Sequence, residues 1–507
     1  MENISMRELL LRRRQLLIRG EEKDVRAVCF QADGDQTVSI TKSGSAPTLT
    51  MQYSYNGRSW RDWDLSALSF GGSKKVYVRG VGNTRFARST SAYNSFTFGT
   101  SALVYTSGII ETLLDWETEI SSYSTTYVFY RLFYGQTALC SAKGLIFSSS
   151  NITGYAYHSM FYGCTSLLDC PESLPATLTG TYNCHSMFYK CSSLTAAPKL
   201  PATTLRGRCY YNMFYGCSSL TAAPELPATT LATYCYAYMF YGCSSLTDAP
   251  ELPATTLQTY CYYHMFDRSA LTVAPVLPAM TLTNYCYAYM FYYCRSLTAA
   301  PELPATTLAN YCYSYMFGST NFTTPPVLPA TTLAKECYGN MFSSSSIRTA
   351  PELPATTLAE RCYFGMFNGC FDYWPTTAPK LPATTLATEC YYGMFAYCSS
   401  LTDAPELPAT TLAEGCYRDM FDRCTSLTAA PELPATTLER YCYDQMFQNC
   451  SNLNSIRCRA EVSATSATYR WLYKTAANGT LYGYSKYGWT SGTDGIPSGW
   501  TFVELTD

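Results

Sequence analysis

Histidine is nearly missing from this chain of 507 residues, with three copies, and charged side chains make up only 14%. His158, His185 and His264 lie in different stretches and are not expected to gather into a site. No Ser/His/Asp set, phosphate-cradling glycine loop or short Cys-x2-Cys knuckle is present. No catalytic residue, cofactor or metal is therefore expected. A pair of carboxylates from different stretches, acting as a glycosidase, stays open as a weak third reading. A formal net charge of −2 without a basic block gives no support to nucleic-acid binding. No stretch approaches the roughly 20 apolar residues of a membrane span, so no membrane insertion is expected. The opening MENISMRELLLRRRQLLIRG interrupts its apolar run at Arg12, Arg13 and Arg14 and offers no small-residue cleavage site. It does not read as a secretory signal, which points to assembly in a bacterial cytoplasm.

What is abundant is tyrosine, with 46 copies, and cysteine, with 24. Met-Phe recurs twelve times between Met160 and Phe447, at intervals of 25 to 28 residues. One full unit, Leu220 to Ser245, reads LTAAPELPATTLATYCYAYMFYGCSS. A fixed period of this length marks a stack of units, each burying its apolar face against its neighbours. Cysteines follow the period. One column stands four residues before the Met from Cys209 to Cys442, and a second stands four after it. In three units the second column reads Ser269, Thr320 and Ser345 while the first keeps its Cys. An obligatory disulfide within each unit would not lose one partner so freely, so free buried thiols are expected.

Within a unit, Cys235, Met239, Phe240, Cys243 and Leu246 fall at i, i+4, i+5, i+8 and i+11, which predicts one face of a short helix. TAAPELP is extended, and Pro224 and Pro227 lack an N–H, so this strand is expected to pair only intermittently with its neighbours. The fold class expected is an α/β solenoid of leucine-rich-repeat type, with about 12 units of about 26 residues. Residues 1–24 read as an N-terminal helix or docking arm, and residues 25–98, with alternating strands and an Asn56-Gly57 two-residue turn, as a β-sandwich. Residues 99–150 read as a transition and N-terminal cap, in which Leu132-Phe133-Tyr134-Gly135 is a worn copy of the signature. The solenoid is expected over 151–456. The repeat then stops, and residues 457–507 read as a small β-rich module.

Phe240, Cys243 and Leu246, followed by Pro250 and Pro253, resemble the BspA-like leucine-rich repeats, over about 300 residues. The Leu-Pro-Ala-Thr-Thr-Leu phrase, YTSGIIETLL (Tyr105 to Leu114) and GIPSGWT (Gly495 to Thr501) look like the gut Bacteroidales bacterial and phage branch of that family. The resemblance implies adhesion at a bacterial surface. Such surface proteins are expected to begin with a signal peptide, whereas MRELLLRRR looks like the short basic starts of phage structural proteins. The leading expectation is thus a phage tail-fibre, spike or receptor-binding virion component, with the virion as its location. It would contact a host cell-surface glycan or protein and, through its N-terminal region, other virion proteins. Homo-oligomers are compatible with this. The alternatives are a bacterial cell-surface adhesin and a structural spacer that presents the C-terminal module.

Binding is expected where units differ, on either side of Met-Phe. Tyr238, Tyr241, Tyr263, Tyr289, Tyr292, Tyr293 and Tyr315 are the candidate ligand-binding residues, since tyrosine gives large contact area at low side-chain entropy. The competing reading is that these rings cover the seams between units. Charged pairs such as Lys335-Glu336 and Glu360-Arg361 read as a solvated face, as does the column from Glu225 to Glu432. A cation along that column is the weaker reading.

Overall fold

The structure, a computed structural model, describes residues 26–370, 376–460, 466–484, 488–492 and 494–506. The proposed docking arm, residues 1–24, lies outside the described residues. The chain forms two compact units, Met1–Pro253 and Ala254–Asp507.

Unit 1 opens with two sheets. The first has the order β10-β9-β1-β6-β3-β4 and is built from β1 (Val28–Ala32), β3 (Met51–Ser54), β4 (Arg61–Trp63), β6 (Val76–Gly80), β9 (Val104–Ile109) and β10 (Leu139–Ile146). The second, β5-β2-β8-β7, uses β2 (Gln36–Ser43), β5 (Leu68–Phe70), β7 (Ala87–Ser89) and β8 (Ala92–Phe98). Alternating burial along β2 and β5 puts one face of the second sheet inward. Phe30 of β1 meets Phe96 and Phe98 of β8 edge-on, with ring centroids 5.0 and 5.2 Å apart. The first sheet does not end near residue 98, because β9 and β10 complete its edge. Asn56-Gly57 does lie between paired strands β3 and β4, but in a longer loop than two residues. The Asn56 carboxamide oxygen accepts from the N–H groups of Arg58 and Ser59, which closes that loop.

The repeats of both units are made of turns. The helix expected on the Met-Phe segment is absent, and among the described residues the one helical element is the four-residue 3-10 turn Ile110–Leu113. The reason lies in the backbone. Three residues per repeat are left-handed, spaced four apart, as at Tyr234 (φ 58°), Tyr238 (φ 56°) and Gly242 (φ 70°). Alternate N–H groups close turns inside the repeat, as from Cys235 to the Ala232 oxygen and from Met239 to the Tyr236 oxygen, at 3.1 Å each. The others reach the next repeat. Tyr210, Asn212 and Phe214 donate to the oxygens of Cys235, Ala237 and Met239 at 2.9 to 3.0 Å. In unit 2, Tyr287 and Phe291 donate in the same way to Cys312 and Met316, both at 3.1 Å. A turn spiral of period four places apolar side chains nearly as a helix of 3.6 does, which is why the spacing suggested one. Each left-handed non-glycine costs about 1 kcal/mol, offset by bonds to the neighbouring layer and by burial of Met, Phe, Cys and Leu.

Extended segments on the opposite side pair over two residues where β11 (Asn151–Ile152) meets β12 (Thr177–Leu178), and along the following repeats at isolated parallel bridges, such as Ala196↔Ala222 and Thr204↔Thr230 in unit 1 and Thr256↔Thr281 in unit 2. The prolines between them supply no donor. The worn copy is a full layer: Tyr127, Arg131 and Gly135 are left-handed there, and Phe133 donates to the Met160 oxygen.

The repeat does not stop at residue 454. Residues 466–474 form another layer, in which Trp471 takes the Met place, its oxygen accepting from the Phe447 N–H as that of Met446 accepts from Phe421, while Arg470 and Lys474 are left-handed. On the other side β13 (Ser455–Arg457), β14 (Gly479–Gly483) and β15 (Trp500–Glu504) form a parallel sheet in chain order. The terminal β-rich residues thus extend the repeat architecture.

Candidate functional site

The turn side of each repeat carries side chains at its left-handed positions, and these stack in columns from layer to layer. In unit 1, Tyr127, Tyr155 and Tyr182 stack at 4.5 and 4.7 Å, and the Arg208 guanidinium then lies over both Tyr182 and Tyr234. In unit 2, Tyr260, Tyr285 and Tyr311 stack at 4.4 Å per step, within 10° of parallel. Farther along that column Arg361 bridges Glu336 at 3.1 Å and Glu389 at 2.5 Å. Planar groups, whether phenol, guanidinium or carboxylate, fill most of the column, and Gly415 interrupts it. This column, five residues before the Met, was not singled out from the sequence, although Tyr155, Tyr182, Tyr234, Tyr260, Tyr285 and Tyr311 repeat there visibly.

The candidate tyrosines line the neighbouring columns. Tyr289 stacks on Tyr315 at 4.5 Å and on His264 at 4.2 Å. Tyr263 meets Tyr289 edge-on, as Tyr292 meets Tyr293 and Tyr315. In unit 1, Tyr241 stacks on Tyr215 at 4.4 Å, and Tyr238 meets Tyr211 edge-on. All seven are half-buried, not fully exposed as expected, because ring faces cover one another across layers. Burial first, and then the ring of Tyr315, pushes the Tyr289 phenol well up; burial and the charge of Glu336 do the same for Tyr315. Both hydroxyls remain protonated donors at neutral pH.

Two sequence expectations are corrected. The charged residues are not simply solvated: Lys335 pairs with Glu360 at 2.7 Å, and Glu336 and Arg361 are half-buried partners. Nor are the histidines all apart, since His158 and His185 stack at 4.4 Å in adjacent layers. Burial, with each ring's cationic neighbours, lowers them to about 2 and about 4. Their Nδ1 atoms bond to Ser159 and Ser186, so they serve the column. Among the described residues no group of three or more His, Cys, Asp or Glu is placed to hold a metal. No helix among them is long and apolar enough to cross a membrane.

None of the 24 cysteines is in a disulfide, and all are buried. Second-column thiols donate to a Phe carbonyl of the preceding layer, as Cys243 does to Phe214 at 3.2 Å and Cys294 to Phe266 at 3.0 Å. Where the column reads Thr320 or Ser345, the hydroxyl donates to the Phe of its own layer at 2.7 Å. Each residue found there is small and donates, the thiols to the preceding layer and these hydroxyls to their own. Burial lifts the Cys243 thiol to about 12, so it stays protonated for that bond.

On the extended side the glutamates are exposed, and Val276 and Val327, both over three-quarters exposed at 78% and 79%, interrupt them in unit 2. Open clefts lie between successive proline segments. One of about 370 Å³ is lined by Pro224, Glu225, Leu226, Pro227, Pro250 and Glu251 in unit 1. Another of about 340 Å³ lies between residues 300 and 329 in unit 2.

A family model described as BspA type leucine rich repeat region matches residues 159–298 and 365–470, in six copies. Among solved structures, a leucine-rich repeat protein from Bacteroides ovatus is similar at 16% identity, covering 76% of this chain and 88% of that one, with a TM-score of 0.44. No curated protein matches the chain in sequence.

Proposed function

We propose that this chain, a BspA-type leucine-rich repeat protein, is a non-enzymatic attachment protein that meets a cell surface through its turn face. Repeats of this type serve adhesion, and such scaffolds are typically without catalysis. The observation that carries the reading is the aromatic columns. Tyr263, Tyr289, Tyr292 and Tyr315 bring rings and hydroxyls to one face in successive layers. Because Tyr289 and Tyr315 cover each other face to face, contact by this pair is made through edges and hydroxyl donors. That favours hydrogen bonding to a glycan or a protein over stacking of sugar rings.

The setting proposed is a virion appendage, a tail fibre or spike, with a bacterial surface adhesin as the alternative. Its support is the basic opening segment and the free, buried thiols, which suit assembly in a reducing cytoplasm. The test is binding of the full chain to intact gut Bacteroidales cells with and without capsule. Saturable binding that changes with the capsule supports attachment. Absence of binding to either leaves a structural role instead. Intact capsule polysaccharide after incubation with the chain is expected, and shortening of the polymer would overturn the non-enzymatic reading.

A further inference from the structure

We propose that unit 1 carries a self-association surface, in which the tyrosine and cation face of one copy seats on the proline–glutamate face of a second copy. The inference goes beyond attachment and uses other residues. On the extended side, Pro224, Pro227 and Pro250 wall the cleft of about 370 Å³, with the Glu225 and Glu251 carboxylates at its rim. Proline fixes its own φ and holds the preceding residue extended, so these walls are preformed. Among the described residues neither Glu225 nor Glu251 makes an ion pair, whereas Glu172 on the same side pairs with Lys199 at 3.1 Å.

The turn face of the same unit is complementary in charge. From 173 to 224 the chain has no acidic residue, while Lys190 lies over the Tyr189 ring and Arg208 over the rings of Tyr182 and Tyr234. Tyr162, Tyr189 and Tyr215 succeed one another at 4.5 and 4.6 Å, one ring per layer. The proline and glutamate positions that form the cleft also recur along the repeat, at Pro224-Glu225 and Pro250-Glu251. A partner engaging several layers at once must share that spacing, and a second copy shares it by construction. Proline against ring edges, with carboxylates against exposed cations, supplies apolar contact and orientation together. The two surfaces are different faces of the unit, so the contact is heterologous and passes on from copy to copy.

Sedimentation velocity of the full chain over a concentration series tests this. Wild type is expected to form concentration-dependent species beyond a dimer that weaken with added salt. Glu225→Lys with Glu251→Lys, and separately Lys190→Glu with Arg208→Glu, are each expected to weaken association about tenfold or more. Combining all four substitutions should restore it. Lys190→Glu alone, at an exposed side chain, guards against misfolding, and circular dichroism should leave its spectrum unchanged. A wild type that stays monomeric throughout, or charge-swapped variants that associate as wild type does, would overturn the proposal.

Discussion

A single thiol shows how the repeat selects residues. Cys243 is fully buried and its thiol adds a second hydrogen bond to the Phe214 carbonyl, which also accepts from the Cys217 N–H, so the site favours a small donor more than sulfur as such. Cys243→Ser is therefore expected to unfold in denaturant within about 1 kcal/mol of wild type. Cys243→Val, which loses that bond and forces extra bulk into a fully buried site while the Cys217 N–H still serves the carbonyl, should cost about 2 kcal/mol. Asp419 is a second case. Burial, set against Arg418 and reinforced by Asp444 and Asp422, raises its carboxyl to about 7. Its folded value exceeds its unfolded one, so the fold holds more protons than the unfolded chain between about pH 4 and 7. This group's contribution is thus present at low pH and is lost as pH rises through 7. Relative to wild type, Asp419→Asn should raise the melting temperature more at pH 8 than at pH 5. His158 and His185 act oppositely in unit 1. Their lowered values mean that stability falls as pH drops below about 6.5. A His185→Asn variant should lose less stability than wild type between pH 7 and 5, read by thermal melts.

At the scale of the element, the turn spiral replaces the helix that spacing suggested. Periodicity reports which side chains point inward, and here it did so: Cys235, Met239, Phe240, Cys243 and Leu246 are all buried. It cannot tell a four-residue turn from a 3.6-residue helix over ten residues. The discriminating signal was the glycine at Gly163, Gly216, Gly242 and Gly369, three residues after the Met, each left-handed. Ser344 occupies the same place with φ 56° and an exposed side chain. Ser344→Gly should stabilise by up to about 1 kcal/mol, and Ser344→Val should destabilise, because a β-branched residue resists this conformation. Had the segment been helical, glycine would weaken it and valine would cost little. The intermittent pairing of the proline segments was legible directly, since a missing N–H is written in the residue itself. The layer around Trp471 was not legible, because it keeps the backbone pattern while losing Met-Phe and both cysteines.

Across the whole molecule, repetition turns single tyrosines into columns, and this was only half visible in the sequence. The columns of residue types could be written down from the period alone. Their consequence, that rings cover each other and present edges, follows from the layer spacing, which no residue encodes by itself. It alters what the face is suited to bind, from sugar faces to groups that accept hydrogen bonds. The decisive measurement is binding of the full chain to gut Bacteroidales cells, comparing wild type with Tyr289→Phe/Tyr315→Phe and Tyr289→Ala/Tyr315→Ala. Phe keeps the stack at 4.5 Å and removes only the hydroxyls. Attachment through hydroxyls and edges predicts binding reduced several-fold in the Phe pair at an unchanged melting temperature, and lost in the Ala pair. Binding equal to wild type in both pairs, with the fold intact, would contradict it.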